Sequence, residues 1–178
     1  MQTSVSAIIS SLLTSSQRDI KFWINQFLDY AATHPNAKIW YCEIQMHLWI
    51  KSDASYLNEY KARSHNVGFF YLLDIPKLPI KLKDPPPKLN ASVLVNSKII
   101  DTVMSSVQES ETGSGFINGK DSVTLCNSLH EMGHIQGLAP IQFDNIVINS
   151  IITDKVVQHK SKSMDIRFYC ICHWCQQK

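Results

Sequence analysis

The sequence predicts an α/β domain in which a mixed sheet is flanked by helices. Three observations carry that expectation. Three β-rich stretches follow one another between residues 46 and 104 with no helical pattern between them, which calls for an antiparallel meander. After residue 106 a helical stretch, a short strand and another helical stretch alternate, and that order adds a strand parallel to the first. The chain has 178 residues and is 44% apolar, enough to bury a core; its charged fraction is 18%, below the usual roughly 25%.

Each element follows from local pattern. Residues 17–33, QRDIKFWINQFLDYAAT, place Ile20, Trp23, Ile24, Phe27, Leu28 and Ala31 at helical spacing, so an amphipathic helix is expected. It stops before Pro35, because the residue preceding proline disfavours helix. KIWYCEIQMHLWIKSDAS (38–55), rich in aromatic and β-branched residues, reads as two short strands or one strand with its approach. VGFFYLLDI (67–75) reads as the next strand, and the five-proline stretch after it as a loop or edge. SVLVNSKIIDTVMS (92–105) reads as a strand pair or one long strand. Residues 106–133 are helical in pattern, weakened by Gly113, Gly115 and Gly119. IQFD (141–144) is a short strand leading into a helix over 145–153. A polar link then precedes a last helical run, MDIRFYCICHW. Trp23, Phe27, Trp40 and Trp49 are expected to pack rather than to serve as stacking platforms.

No apolar run approaches the ~18 residues a transmembrane helix requires, and AIISSLL lacks the basic start and cleavage site of a signal peptide. An odd number of cysteines, five, then fits reduced thiols inside the cell, in cytoplasm or nucleus. CICHWC (170–175) has metal-ligand residue types, but ligands so crowded close a tetrahedral shell poorly. Net charge is only +2, yet Lys77, Lys81, Lys83, Lys88 and Lys98, and later Lys155, Lys160, Lys162 and Arg167, flank a stretch holding Asp101, Glu109, Glu111 and Asp121. Basic flanks around an acidic centre suit a site that holds metal and phosphate together, as well as an ordinary solvated surface.

Three acids stand where the architecture would gather them. Asp53 ends the apolar run HLWIKSD, Glu111 lies in the first turns of the helix after the third strand, and Asp144 ends IQFD. Carboxylates at adjacent strand ends can hold divalent cations, and two cations about 4 Å apart serve phosphodiester hydrolysis. Such acids also cap helices, which by itself would explain Asp144. As a cation site, the three carboxylates should lie roughly 4–8 Å apart.

The segments QFLDYAATHPNAKIWY (26–41), KSDASYLNEYKARS (51–64), VMSSVQESE (103–111), PIQFDN (140–145) and KSKSMDIRFY (160–169) together resemble the ribonuclease H domain of copia-type retrotransposon polyproteins. The resemblance implies a ribonuclease H-like fold, with Mg2+ or Mn2+ as cofactor and hydrolysis of the RNA strand of RNA–DNA hybrids. It assigns the catalytic and metal-binding places to Asp53, Glu111 and Asp144. Glu109 is the alternative to Glu111, which is preferred as the second acid of the E-x-E run. Asp165 matches a position explained by helix capping. Lys160, Lys162 and Arg167 are candidate nucleic-acid contacts. Residues 1–36 would be a helical arm at the end of a reverse-transcriptase or connection region, and 37–178 the ribonuclease H-like domain. The family's last strand and its helix with the fourth acid have no counterpart before Lys178. From that an incomplete domain is expected, with low cleavage, an uncovered sheet edge open to self-association, and the parent's reverse-transcriptase portion as a natural partner. A non-catalytic nucleic-acid-binding or assembly remnant is the alternative.

A competing pattern is HEMGHIQG (130–137), which matches the zinc helix H-E-x-x-H-x-x-G. There His130 and His134 would bind zinc and Glu131 would polarise a water. Gly133 and Pro140 instead suggest that the helix is ending, which would leave His134 outside the mid-helix geometry that zinc requires.

Overall fold

The computed structural model describes residues 17–59, 61–74, 90–144, 166–171 and 173. Their elements are α1 (Gln17–Thr33), β1 (His47–Glu59), β2 (Arg63–Leu73), β3 (Ser92–Ile99), α2 (Val107–Glu131) and β4 (Ile141–Phe143). The class is mixed α/β. The four strands form one sheet in the order β3-β2-β1-β4. β1, β2 and β3 make the expected antiparallel meander, and β4 joins β1 in parallel, with Ile50 opposite Ile141 and Ser52 opposite Phe143.

Alternation decides the faces. Leu48 and Ile50 of β1 and Phe70 and Leu72 of β2 point to the side covered by α2, where Leu129 closes a buried cluster. Ile44, Met46, Leu125, Cys126, Ala139 and Ile141 pack around it. Gln136 prepares the approach to β4: its side chain accepts from the Leu48 amide (3.0 Å) and donates to the Met46 carbonyl (2.9 Å). Two backbone edges that β4 is too short to pair are thereby satisfied. At the far end of the sheet His65 is clasped between Glu59 (2.9 Å) and Ser97 (2.8 Å).

Several expectations need correction. β1 does not stop at Asp53; it runs on to Glu59 against β2, and what stops beside Asp53 is its pairing with β4. β3 ends at Ile99, and the next residues turn inward, burying Ile100 and Met104. The glycines do not erode α2, which is continuous for 25 residues. A Cβ on Gly115 would lie 2.5 Å from the Phe143 ring, so glycine is what lets β4 lie against the helix. Trp23 and Trp40 are 52% and 73% exposed rather than packed. The expected helix at 145–153 and the proline-rich loop over 76–89 lie outside the described residues. Residues 166–171 and 173 are helical.

Candidate metal centre

Parallel pairing builds the first half of the site. Ser52 and Phe143 are the last paired residues of β1 and β4, so Asp53 and Asp144 emerge side by side, one step beyond, on strands about 4.8 Å apart. Both carboxylates are exposed. Asp53 accepts from the Ala54 amide at 2.8 Å.

The third acid comes from the start of α2. Ser106 caps the helix with extended backbone (φ −150°, ψ 162°) and accepts from the Glu109 amide at 3.1 Å. Glu109 in turn accepts from the Ser105 amide (2.7 Å) and hydroxyl (2.6 Å), a reciprocal arrangement close to a capping box. The E-x-E run is therefore divided. Glu109 fastens the helix end, and Glu111, two residues on, meets the aspartates. Ligand atoms of Asp53, Glu111 and Asp144 all lie within 4.8 Å of one another, the one such group among the described residues.

The electrostatics are unfavourable without a counter-charge. Glu111 is 5% exposed, and its Oε2 is buried with no hydrogen-bond partner. Burial first, then the charges of Asp53 and Asp144, push its carboxyl from an ordinary 4.5 up to about 7; the Ala54 amide opposes the rise. A buried carboxylate with an idle oxygen beside two more acids has the chemistry of an oxygen-ligand site for a hard divalent cation.

Arg167 donates to Thr102 Oγ1 at 3.1 Å and lies 3.6 Å from the Met104 sulfur, half-buried beside the start of α2. Lys160 and Lys162 lie outside the described residues, as do Cys172 and Cys175. The zinc pattern is not assembled. α2 ends at Glu131, Gly133 turns with φ +91°, and its amide and that of His134 bond back to His130 and Leu129. His134 thus falls in the closing turn, off the face that carries His130.

Sequence reasoning missed what holds α2 to the sheet. Small and polar residues recur at 111, 114, 115 and 118, a helical face with no large apolar side chain on a helix expected to cover a sheet. That spacing was the available signal.

No family model matches the chain, and no curated protein is similar to it in sequence. Among solved structures, that of LC11-RNase H1, isolated from compost by a metagenomic approach, is similar with a TM-score of 0.49 at 10% identity. The match covers 75% of this chain and 78% of that one. A likeness that distant does not bear on activity; the geometry of the acids does. Among the described residues, no helix is long and apolar enough to cross a membrane.

Proposed function

We propose that this chain is a ribonuclease H-like domain of retrotransposon descent that hydrolyses the RNA strand of RNA–DNA hybrids with Mg2+ or Mn2+. The observation that carries the reading is the convergence of Asp53, Glu111 and Asp144 within 4.8 Å, with a buried and unpartnered oxygen on Glu111. Three carboxylates so close repel one another, and divalent cations offset that repulsion.

The residues present fit such cations, and Asp53, Glu111 and Asp144 would hold them. Bound there, the cations supply Lewis acidity to a phosphate and a water of lowered pKa. Glu111 forms the dry wall of the site, while the exposed Asp53 and Asp144 face the side from which a nucleic acid can approach. Arg167, with Lys160 and Lys162, is assigned to phosphate contact. Residues 1–36 are read as an arm belonging to a neighbouring reverse-transcriptase region. An intracellular setting accords with the free thiols of Cys42, Cys126 and Cys170.

The test is cleavage of a labelled RNA–DNA hybrid by the full chain in Mg2+ or Mn2+, with zinc content measured on the same sample. Cleavage of the RNA strand, abolished by EDTA and by Asp53→Asn, is expected. Intact hybrid in both metals, or cleavage that Asp53→Asn leaves unchanged, overturns the proposal.

A further inference from the structure

Four polar side chains are fully buried between α2 and the sheet: Ser52, Asn66, Ser114 and Asn118, each at 0% exposure. Their hydrogen bonds close on themselves. Asn118 Nδ2 donates to Ser52 Oγ (2.9 Å), Ser52 Oγ lies 3.0 Å from Ser114 Oγ, Ser114 Oγ donates to Asn66 Oδ1, and Asn66 Nδ2 donates to Asn118 Oδ1 (3.3 Å). Two contacts leave the ring for backbone: Asn118 Nδ2 donates to the Val67 carbonyl (3.1 Å), and Ser114 Oγ, whose single proton is shared between Asn66 Oδ1 and the Asp53 carbonyl, lies 2.7 Å from the latter.

A ring of this kind is an expensive way to glue a helix to a sheet. Each group gives up water, and a satisfied buried hydrogen bond returns only about 1 kcal/mol, whereas apolar side chains would fill the same space without that exchange. What a ring supplies that apolar packing does not is direction, because its partners are met in only one register. The sheet makes room for it: a Cβ on Gly68 would lie 2.4 Å from Asn118 Oδ1. The ring also stands in a particular place. Ser114 lies one turn beyond Glu111 on the same helix and bonds the main chain of Asp53 itself. Its own polar atoms are all partnered, while Glu111 Oε2, one turn away, has no partner.

From this arrangement we infer that Ser52, Asn66, Ser114 and Asn118 are positioning residues that fix the spacing between the Asp53 and Glu111 carboxylates, with Ser114 as the link. The inference rests on the proposed metal-dependent reading for its functional consequence, but the spacing itself can be measured without metal.

The test takes the full chain as wild type, Ser114→Ala, Ser52→Ala and Ser122→Ala. Ser52→Ala breaks the ring yet keeps the bond from Ser114 to Asp53, so it stands in if Ser114→Ala fails to fold. Ser122→Ala makes the same deletion two turns further along, where the hydroxyl bonds only the Gly119 carbonyl (2.6 Å). Mn2+ affinity is titrated without nucleic acid, and crystal structures give the carboxylate spacing. Ser114→Ala should lose affinity by on the order of 10–100-fold, as supporting residues around metal ligands do. Ser52→Ala should lose less, Ser122→Ala should match wild type, and the Asp53 and Glu111 carboxylates should draw apart in the ring variants. Unmoved carboxylates with wild-type affinity in both ring variants, or an equal loss in Ser122→Ala, overturn the inference. If wild type itself takes up no Mn2+, the metal-dependent reading fails and the carboxylate spacing alone decides this one.

Discussion

Replacing Glu111 by glutamine should stabilise the metal-free protein at neutral and alkaline pH. The carboxyl ionises at about 7 in the folded chain against an ordinary 4.5. Below the lower value both states are protonated, and the group contributes no pH dependence. Between the two, the unfolded chain has released its proton while the folded chain keeps it, so stability falls as pH rises. Above pH 7 both states are ionised and the folded state bears the full penalty. At about 1.4 kcal/mol per pH unit, the interval corresponds to about 3 kcal/mol. Part of it comes from the exposed Asp53 and Asp144 and is screened by salt, so about 2–3 kcal/mol is expected. Glutamine keeps the shape and removes the charge. Urea unfolding in EDTA should therefore show Glu111→Gln matching wild type near pH 4 and exceeding it by about 2–3 kcal/mol near pH 8. Stability curves that run parallel from pH 4 to 8, or a less stable variant at pH 8, would refute the reasoning.

Other outcomes follow from the packing. Gly115→Ala drives a Cβ into the rigid Phe143 ring beside Asp144, so a loss of about 1–3 kcal/mol in urea unfolding should accompany weaker Mn2+ binding. Gly113→Ala presses on the flexible end of Met104, at 2.9 Å, with Arg167 and Ile100 in ordinary contact, and gains helix propensity; its stability should stay within about 1 kcal/mol of wild type. Gly133→Ala places a side chain at φ +91° and should cost about 1–2 kcal/mol while leaving Mn2+ affinity unchanged. His130→Ala and His134→Ala should leave metal content by mass spectrometry as in wild type, since the two rings do not share a helix face.

The sheet was legible because strand signals are local. HLWIKSD and VGFFYLL are short runs rich in apolar and aromatic residues, which places the strands, and the helix between β3 and IQF makes a parallel return the short connection. Asp53, Glu111 and Asp144 were legible as candidates, the first at the close of an apolar run and the others near helix and strand ends, although the strand carrying Asp53 runs on to Glu59. The division of labour between Glu109 and Glu111 was legible only through the family resemblance, because residues two apart stand about 200° apart round a helix and spacing alone does not say which of them faces the aspartates. Propensity alone makes Gly113 and Gly115 look like weak points because it describes an isolated helix, whereas Gly115 answers to a neighbour that arrives 28 residues later. Ser114 and Asn118 look like solvated helix residues until the sheet supplies Ser52 and Asn66. The packing expected of Trp23 and Trp40 rests on residue type, which says what a side chain favours and not whether a partner surface is within reach.

The central claim is that three carboxylates from β1, α2 and β4 form one divalent-cation centre. Calorimetric titration of the full chain with Mn2+ tests it most directly, run near pH 6.5 in two buffers of different ionisation enthalpy so that proton release is counted. The account predicts saturable binding by wild type with release of a fraction of a proton as Glu111 gives up its own, and loss of that binding in Asp53→Asn, Glu111→Gln and Asp144→Asn alike. Binding that survives all three substitutions, or wild-type protein that takes up no Mn2+, would contradict it.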